Sequence, residues 1–171
     1  MLYGIRINLK PLEEKDIETT RTWRNKYSDK FFDSSYITKE QQRQWYERFK
    51  ETHDYFFIIQ LKDKTPIGTI SLYNINIGDR TAVLGRFLLL DEHRHHGYAE
   101  EAVGMVIDMA ERMGLFKIKV EVHLENIDAI AIYARAGFKT QTKPIIIMEK
   151  QFTNQDWDRP IEIFDVEEEE E

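Results

Sequence analysis

A long apolar run that stops in a glycine-containing turn and restarts as a helix constrains this chain more than any other stretch. Residues 81–90 end in Phe87-Leu88-Leu89-Leu90, which reads as the end of a buried strand. Asp91-Glu92-His93 is polar and turns the chain. Arg94-His95-His96-Gly97-Tyr98-Ala99 follows, and over 100–113 the apolar residues Ala102, Val103, Val106, Ile107, Met109, Ala110 and Met113 recur at helical spacing. The first N–H groups of a helix lack partners within it and sit at the positive end of its dipole, so such a turn can bind an anion. Arg94 adds a fixed positive charge, Gly97 lets a ligand approach the backbone, and Ala99 keeps the surface low. A plain strand-to-helix turn could read the same way, so the remaining chain has to discriminate.

The length of 171 residues and the 42% hydrophobic content suit one globular domain with its own core, expected over residues 1–160. No apolar run approaches the roughly 20 residues of a membrane helix, and residues 1–6 lack the basic-then-apolar pattern of a signal peptide. Cysteine is absent, which excludes disulfides, thiolate metal sites and a cysteine nucleophile, and is compatible with a cytoplasmic protein. The net charge of −7 comes from the tail at 161–171, which holds seven acids and no bases and reads as a solvated end. The balanced remainder has no long basic run, so nucleic acid is disfavoured as a partner.

In chain order, 5–9 alternates as a strand that Pro11 ends, and 13–24 reads as a helix. Thr38-x-x-Gln41 is a capping box opening a second helix whose apolar face carries Trp45, Tyr46 and Phe49. Strands follow at 55–61, 67–74 and 81–90, with Gly85 marking a bulge or a close approach in the last. After the helix at 100–113 come a strand at 117–123, a helix at 126–136 and two strands at 138–143 and 145–152. The order β-α-α-β-β-β-α-β-α-β-β predicts an α/β fold with a mixed sheet and flanking helices. The unit 82–123 is a right-handed parallel crossover, with a ligand beyond the strand ends. Trp23 reads as core. Phe31, Phe32 and Tyr36 lie between elements and read either as core or as a substrate-facing wall.

Arg94-x-x-Gly97-x-Ala99 after a long apolar strand resembles the GNAT superfamily of acyl-CoA-dependent N-acyltransferases. So does Asn126-x-x-Ala129-x-x-x-Tyr133-x-x-x-Gly137-Phe138, at matching order and distance. Leu9-x-Pro11-Leu12 and Trp23-Arg24-Asn25 resemble the branch with ribosomal-protein N-terminal, spermidine and aminosugar acetyltransferases. The resemblance implies a mostly antiparallel central sheet with a parallel β-α-β coenzyme-binding unit, and acetyl-CoA as cosubstrate. It implies that the 94–99 loop holds the pyrophosphate, with His95, His96, Tyr98 and Glu100 on the same turn. Leu88, Leu89 and Leu90 would pair through their main chains with the pantetheine arm, the N–H of Leu89 or of a close neighbour polarising the thioester carbonyl. Asn126 would bond the pantetheine, Ala129 would leave it room, and Tyr133 would be the general acid.

Many relatives carry a glutamate two residues before the glycine of the long strand; here that position is Val83. Glu121 and His123, on one face of the next strand, are the remaining named bases, beside Glu125, a water relay or capture of a neutral amine. Trp23, Arg24, Asn25, Phe31, Tyr36 and Tyr73 are the expected acceptor-side residues. The expected acceptor is a small primary amine, first a nucleotide-linked amino sugar, then a protein N-terminus or a polyamine. The expected assembly is a monomer or homodimer. A coenzyme-binding sensor without turnover is the reading from another class. His93, His95 and His96 could ligate a metal in isolation, but a turn this tight does not readily converge three imidazoles, and no metal is expected.

Overall fold

The structure is a computed structural model, and it describes residues 1–141 and 146–152. The tail at 161–171 and residues 142–145 of the last two predicted strands lie outside the described residues. Among the described residues, eight strands form one sheet: β1 (Leu2–Tyr3), β2 (Ile7–Pro11), β3 (Tyr55–Leu61), β4 (Pro66–Asn76), β5 (Thr81–Leu89), β6 (Lys117–Val122), β7 (Lys139–Thr140) and β8 (Ile146–Gln151). Their order is β1-β2-β3-β4-β5-β6-β8-β7. Every pair is antiparallel except β5–β6, which runs parallel as the crossover requires. The described residues also form four α-helices: α1 (Ile17–Lys26), α2 (Lys39–Phe49), α3 (Tyr98–Arg112) and α4 (Ile127–Arg135).

Alternation in β3 assigns the two faces. Phe57 and Ile59 join the main core with Ile70, Leu72, Ile118 and Val120, under Val103, Val106 and Ala110 of α3. Phe56 and Ile58 point the other way, into a smaller cluster with Leu12 and Tyr46, beside Ile17, Trp45 and Phe49 from α1 and α2. The capping box of α2 forms as the sequence predicts: Gln41 N–H donates to Thr38 Oγ1 at 3.2 Å and Thr38 N–H to Gln41 Oε1 at 2.8 Å.

Three sequence boundaries shift for identifiable reasons. The first predicted strand starts two residues later, at Ile7, because Gly4 N–H closes a turn onto Ile7 O at 3.0 Å and leaves Ile5 exposed. The helix expected over 13–24 starts as a 3-10 turn at Glu14–Asp16, where Lys10 Nζ pins Glu13 at 3.2 Å and Asp16 at 2.8 Å. The strand expected to reach His123 stops at Val122, since Asn126 N–H turns back to His123 O at 2.9 Å.

Candidate active site

Strands β5 and β6 pair only between Thr81–Val83 and Lys117–Lys119. Beyond that point β5 stays paired with β4 up to Leu89, and β6 with β8 up to Val122. The two middle strands therefore splay, and each leaves main-chain groups facing the gap. Leu90 N–H donates to Ile67 O at 2.9 Å, so Leu90 is committed to β4 and does not offer its N–H to a ligand. Strand alternation then turns the Leu89 N–H and C=O into the gap.

A bulge sets what lies on each side of that main chain. Thr69 opposes Leu88 while Ser71 opposes Gly85, so β5 spends one more residue than β4 across this interval. Arg86 occupies it at φ 47°, a left-handed conformation. The phase of the strand reverses there. Leu84 and Leu89 both face the main core, whereas Leu88 lines a cavity on the α1–α2 side. Gly85 is the close approach expected of it, since a Cβ at that position would lie 3.1 Å from the Tyr73 ring.

At the end of the gap, His95 (φ 60°) and Gly97 (φ 75°) turn the chain through left-handed conformations into α3. Glu101 is the first helix residue to donate back, to Gly97 O at 3.2 Å, so the Tyr98, Ala99 and Glu100 N–H groups have no partner within the helix. Arg6, unremarked in the sequence reading, holds this loop from behind. Its Nη1 donates to His96 O at 2.7 Å and its Nη2 to Gly97 O at 3.0 Å. Its Nε pairs with Glu101 Oε2 at 2.9 Å, while Glu101 Oε1 accepts the Arg6 N–H at 2.8 Å. Burial pushes the Glu101 carboxyl up, but these hydrogen bonds outweigh it and hold its pKa below the ordinary value.

The other loop side chains are partly committed. Arg94 Nη2 pairs with Asp91 at 3.1 Å, and its Nε lies 3.5 Å from Leu89 O. His96 Nδ1 meets Arg94 O at 2.6 Å and its ring stacks on Tyr98. Glu100 accepts from Arg135 at 2.6 Å, joining the start of α3 to α4. Among the described residues, no three His, Cys, Asp or Glu side chains converge as a metal site.

Helix α4 brings Tyr133 into the core, 4% exposed and edge-on to Phe138. Burial, with a smaller contribution from Tyr73, pushes its pKa well above that of a free phenol, so the hydroxyl stays protonated. Asn126 is the N-cap of α4: its Oδ1 accepts the Ala129 N–H at 3.2 Å. Asn126 therefore caps the helix through this oxygen, and Ala129 is partly buried against the core.

The cavity beside Leu88 measures about 370 Å³ and lies between α1, α2 and the sheet, with Arg24, Phe31, Tyr36, Trp45 and Arg86 among its walls. Trp23 and Asn25 are not among them. Asn25 instead exchanges two hydrogen bonds with the Ile37 main chain, at 2.8 and 2.9 Å, which fixes the α1–α2 loop. Tyr73 sits under Arg86, whose Cζ is 4.1 Å from the ring centroid. Residues 118, 120 and 122 of β6 face the main core, so alternation places Glu121 on the α1–α2 side, where it is exposed. His123 follows the strand and packs its ring 4.0 Å from Phe32 of the α1–α2 loop. Its Nε2 is buried without a hydrogen-bond partner among the described residues.

A parallel strand pair that opens toward a helix start with N–H groups unpartnered within the helix, with a buried phenol on the following helix, is the arrangement expected of an acyl-coenzyme A transferase. The chain belongs to the GNAT acetyltransferases: the family described as "Acetyltransferase (GNAT) domain" matches residues 6–139. It is 34% identical over 152 residues to the "Probable N-acetyltransferase YjcK" of Bacillus subtilis, covering 81% of this chain and 83% of that one. The spermidine N-acetyltransferase of Vibrio cholerae, solved with CoA and spermine, superposes with a TM-score of 0.79 at 20% identity, covering 85% of this chain and 95% of that one. FdhC, "a nucleotide-linked sugar GNAT", superposes with a TM-score of 0.74 at 22% identity, covering 88% and 91%. The protein is an acetyl-CoA-dependent acetyltransferase. Among the described residues, no helix is long and apolar enough to cross a membrane.

Proposed function

We propose that the chain acetylates the primary amine of a small amino sugar, in nucleotide-linked form, by direct attack in a ternary complex. One observation carries this reading: the bulge puts the Leu89 main chain in the coenzyme gap and the Leu88 side chain in the neighbouring cavity, so two ligands would meet at adjacent residues. The free N–H groups at the start of α3, braced by Arg6, suit a pyrophosphate. Acetyl-CoA supplies an acetyl group activated as a thioester. The Leu89 N–H is aimed where the carbonyl oxygen gains negative charge, and one such donor is worth roughly 3 kcal/mol. His123 takes the proton the amine loses, because its buried Nε2 is free to accept one, and Glu121 is the second choice. Tyr133 donates a hydrogen bond to the departing sulfur. The sequence holds no cysteine to carry the acetyl group between two half-reactions.

The aromatic and hydroxyl-bearing cavity walls support a sugar, and the likeness to a nucleotide-linked sugar enzyme points the same way. The test is thiol release from acetyl-CoA with aminosugar nucleotides, peptides and polyamines as acceptors. Turnover with an aminosugar nucleotide is expected. Tight coenzyme binding with no turnover on any amine would leave a sensor in its place. The loop assignment has its own check. Arg94→Glu puts a negative charge beside phosphates and is expected to raise the coenzyme Kd by about tenfold in calorimetry, given the strength of partly exposed charge pairs. An unchanged Kd removes Arg94 from the phosphate site.

A further inference from the structure

The cavity beside Leu88 has an electrostatic character that its location alone does not require. Three guanidiniums, Arg24, Arg48 and Arg86, stand in its walls against one carboxylate, Asp33. Among the described residues none of the three is ion-paired. Nearby Arg21 shows the contrast, because Glu18 takes its Nε and Nη2 at 3.0 and 2.7 Å. Arg24 has a buried Nη1 with no hydrogen-bond partner among the described residues, while its Nη2 donates to the Asp33 carbonyl. Arg86 is half-buried between the rings of Tyr73 and Trp45, at 4.1 and 5.6 Å, with Nη1 3.3 Å from Ser71 Oγ. The Asp33 carboxylate is turned to the Ser35 N–H at 2.9 Å. Asp54 acts on Arg86 only at a distance.

Arg24 and Arg86 are partly withdrawn from water, and holding unpaired cations so is unfavourable unless something neutralises them; Arg48, exposed on α2, adds its charge at the rim. Guanidiniums are the side chains best matched to phosphate oxygens, through paired N–H donors. Resting on the acetyl-transfer reading above, we propose that Arg24, Arg48 and Arg86 bind a phosphoryl group of the acceptor. The amine this enzyme takes is therefore tied to a phosphate, as a sugar phosphate or a nucleotide-linked sugar, and is not a bare polycation. A polyamine would bring positive charge against three positive walls. The Phe31 face, over which Arg24 lies at 4.3 Å, and the Trp45 face supply flat apolar surface for a ring beside the charge.

The experiment is calorimetry on the CoA-saturated protein, so that the pyrophosphate loop is already filled, with glucosamine, glucosamine 1-phosphate and spermidine as probes. Glucosamine 1-phosphate is expected to bind at least tenfold more tightly than glucosamine. Arg86→Gln is expected to erase most of that ratio while leaving the CoA affinity unchanged. Because Arg86 sits in the bulge and its variant could misfold, Arg48→Gln, on the exposed face of α2, is the second variant and is expected to reduce the ratio in the same direction. Equal affinity for the two sugars, binding of neither, tighter binding of spermidine, or a ratio untouched by Arg48→Gln in a folded protein overturns the anion site. In those cases thiol release with spermidine or another amine that carries no phosphate still upholds acetyl transfer, whereas no release with any amine removes that reading too.

Discussion

Tyr133→Phe is expected to lower kcat by about a hundredfold, at the lower end of what a positioned general acid contributes, while the Kd for CoA changes less than twofold. The substitution removes one oxygen from a ring that is otherwise held by packing. Tyr133 is 4% exposed and meets Phe138 edge-on at 5.6 Å, and the phenyl ring can keep both features. What disappears is the only polar atom of the side chain. Burial drives its pKa upward, so the phenol is a proton-bearing donor across the working range and gains no negative charge as the solution becomes mildly alkaline. The wild-type rate should therefore show no alkaline loss near an ordinary phenol pKa of about 10. Steady-state thiol release beside calorimetry separates the two effects. A variant with wild-type kcat removes Tyr133 as the donor, and one that loses CoA affinity in proportion to rate makes it a packing residue.

Local signals in the sequence account for most of the architecture. The aromatic and β-branched run at 55–61 and the capping box at Thr38 and Gln41 fall where the structure has β3 and the start of α2. The turn into α3 and the parallel crossover were legible because an apolar strand, a glycine and a helical stripe follow each other directly. What was not legible depends on pairs far apart in the chain or on a reversal of phase. Arg6 and Glu101 are 95 residues apart, and neither is unusual in its own segment. The bulge at Arg86 was foreshadowed by Gly85, but not its consequence that Leu88 and Leu89 change faces. Asn126 shows the converse difficulty. A side chain read as a ligand group also caps the helix it precedes, a second role its position before α4 gives it, because the first N–H groups of α4 need an acceptor. Glu100 likewise pairs with Arg135. On the acceptor side, the reach of Arg24, Phe31 and Tyr36 into the cavity, and the absence of Trp23 and Asn25 from its walls, follow from which way α1 faces the sheet. The burial pattern of α1 is weakly amphipathic in sequence, with Thr20 and Arg21 as its buried residues, so periodicity could not orient it.

Gly97→Ala is expected to weaken acetyl-CoA binding by ten- to a hundredfold, through two effects that both act on the loop. The residue is at φ 75°, where an L side chain costs about 1–2 kcal/mol, itself close to a tenfold effect if the loop relaxes out of its binding shape. The added Cβ would also lie 2.6 Å from Arg6 Nη1 and 2.8 Å from Nη2. The Arg6 tip is a flexible end and can retreat, but retreat means releasing the His96 and Gly97 carbonyls and straining the pair with Glu101. Those carbonyls, once free to rotate, no longer keep the adjoining N–H groups turned outward. Arg6→Ala removes the brace without the φ cost, and is expected to weaken binding about tenfold, in line with the loss of charge-assisted hydrogen bonds. The double variant discriminates the cause. If the methyl group acts by dislodging Arg6, then Arg6→Ala with Gly97→Ala loses less than the sum of the two single changes, because the clash has no partner left. Strict additivity, in variants whose thermal unfolding shows them folded, would mean that the methyl acts through backbone strain alone, whereas an unchanged Kd in Arg6→Ala itself would mean that Arg6 does not shape the loop.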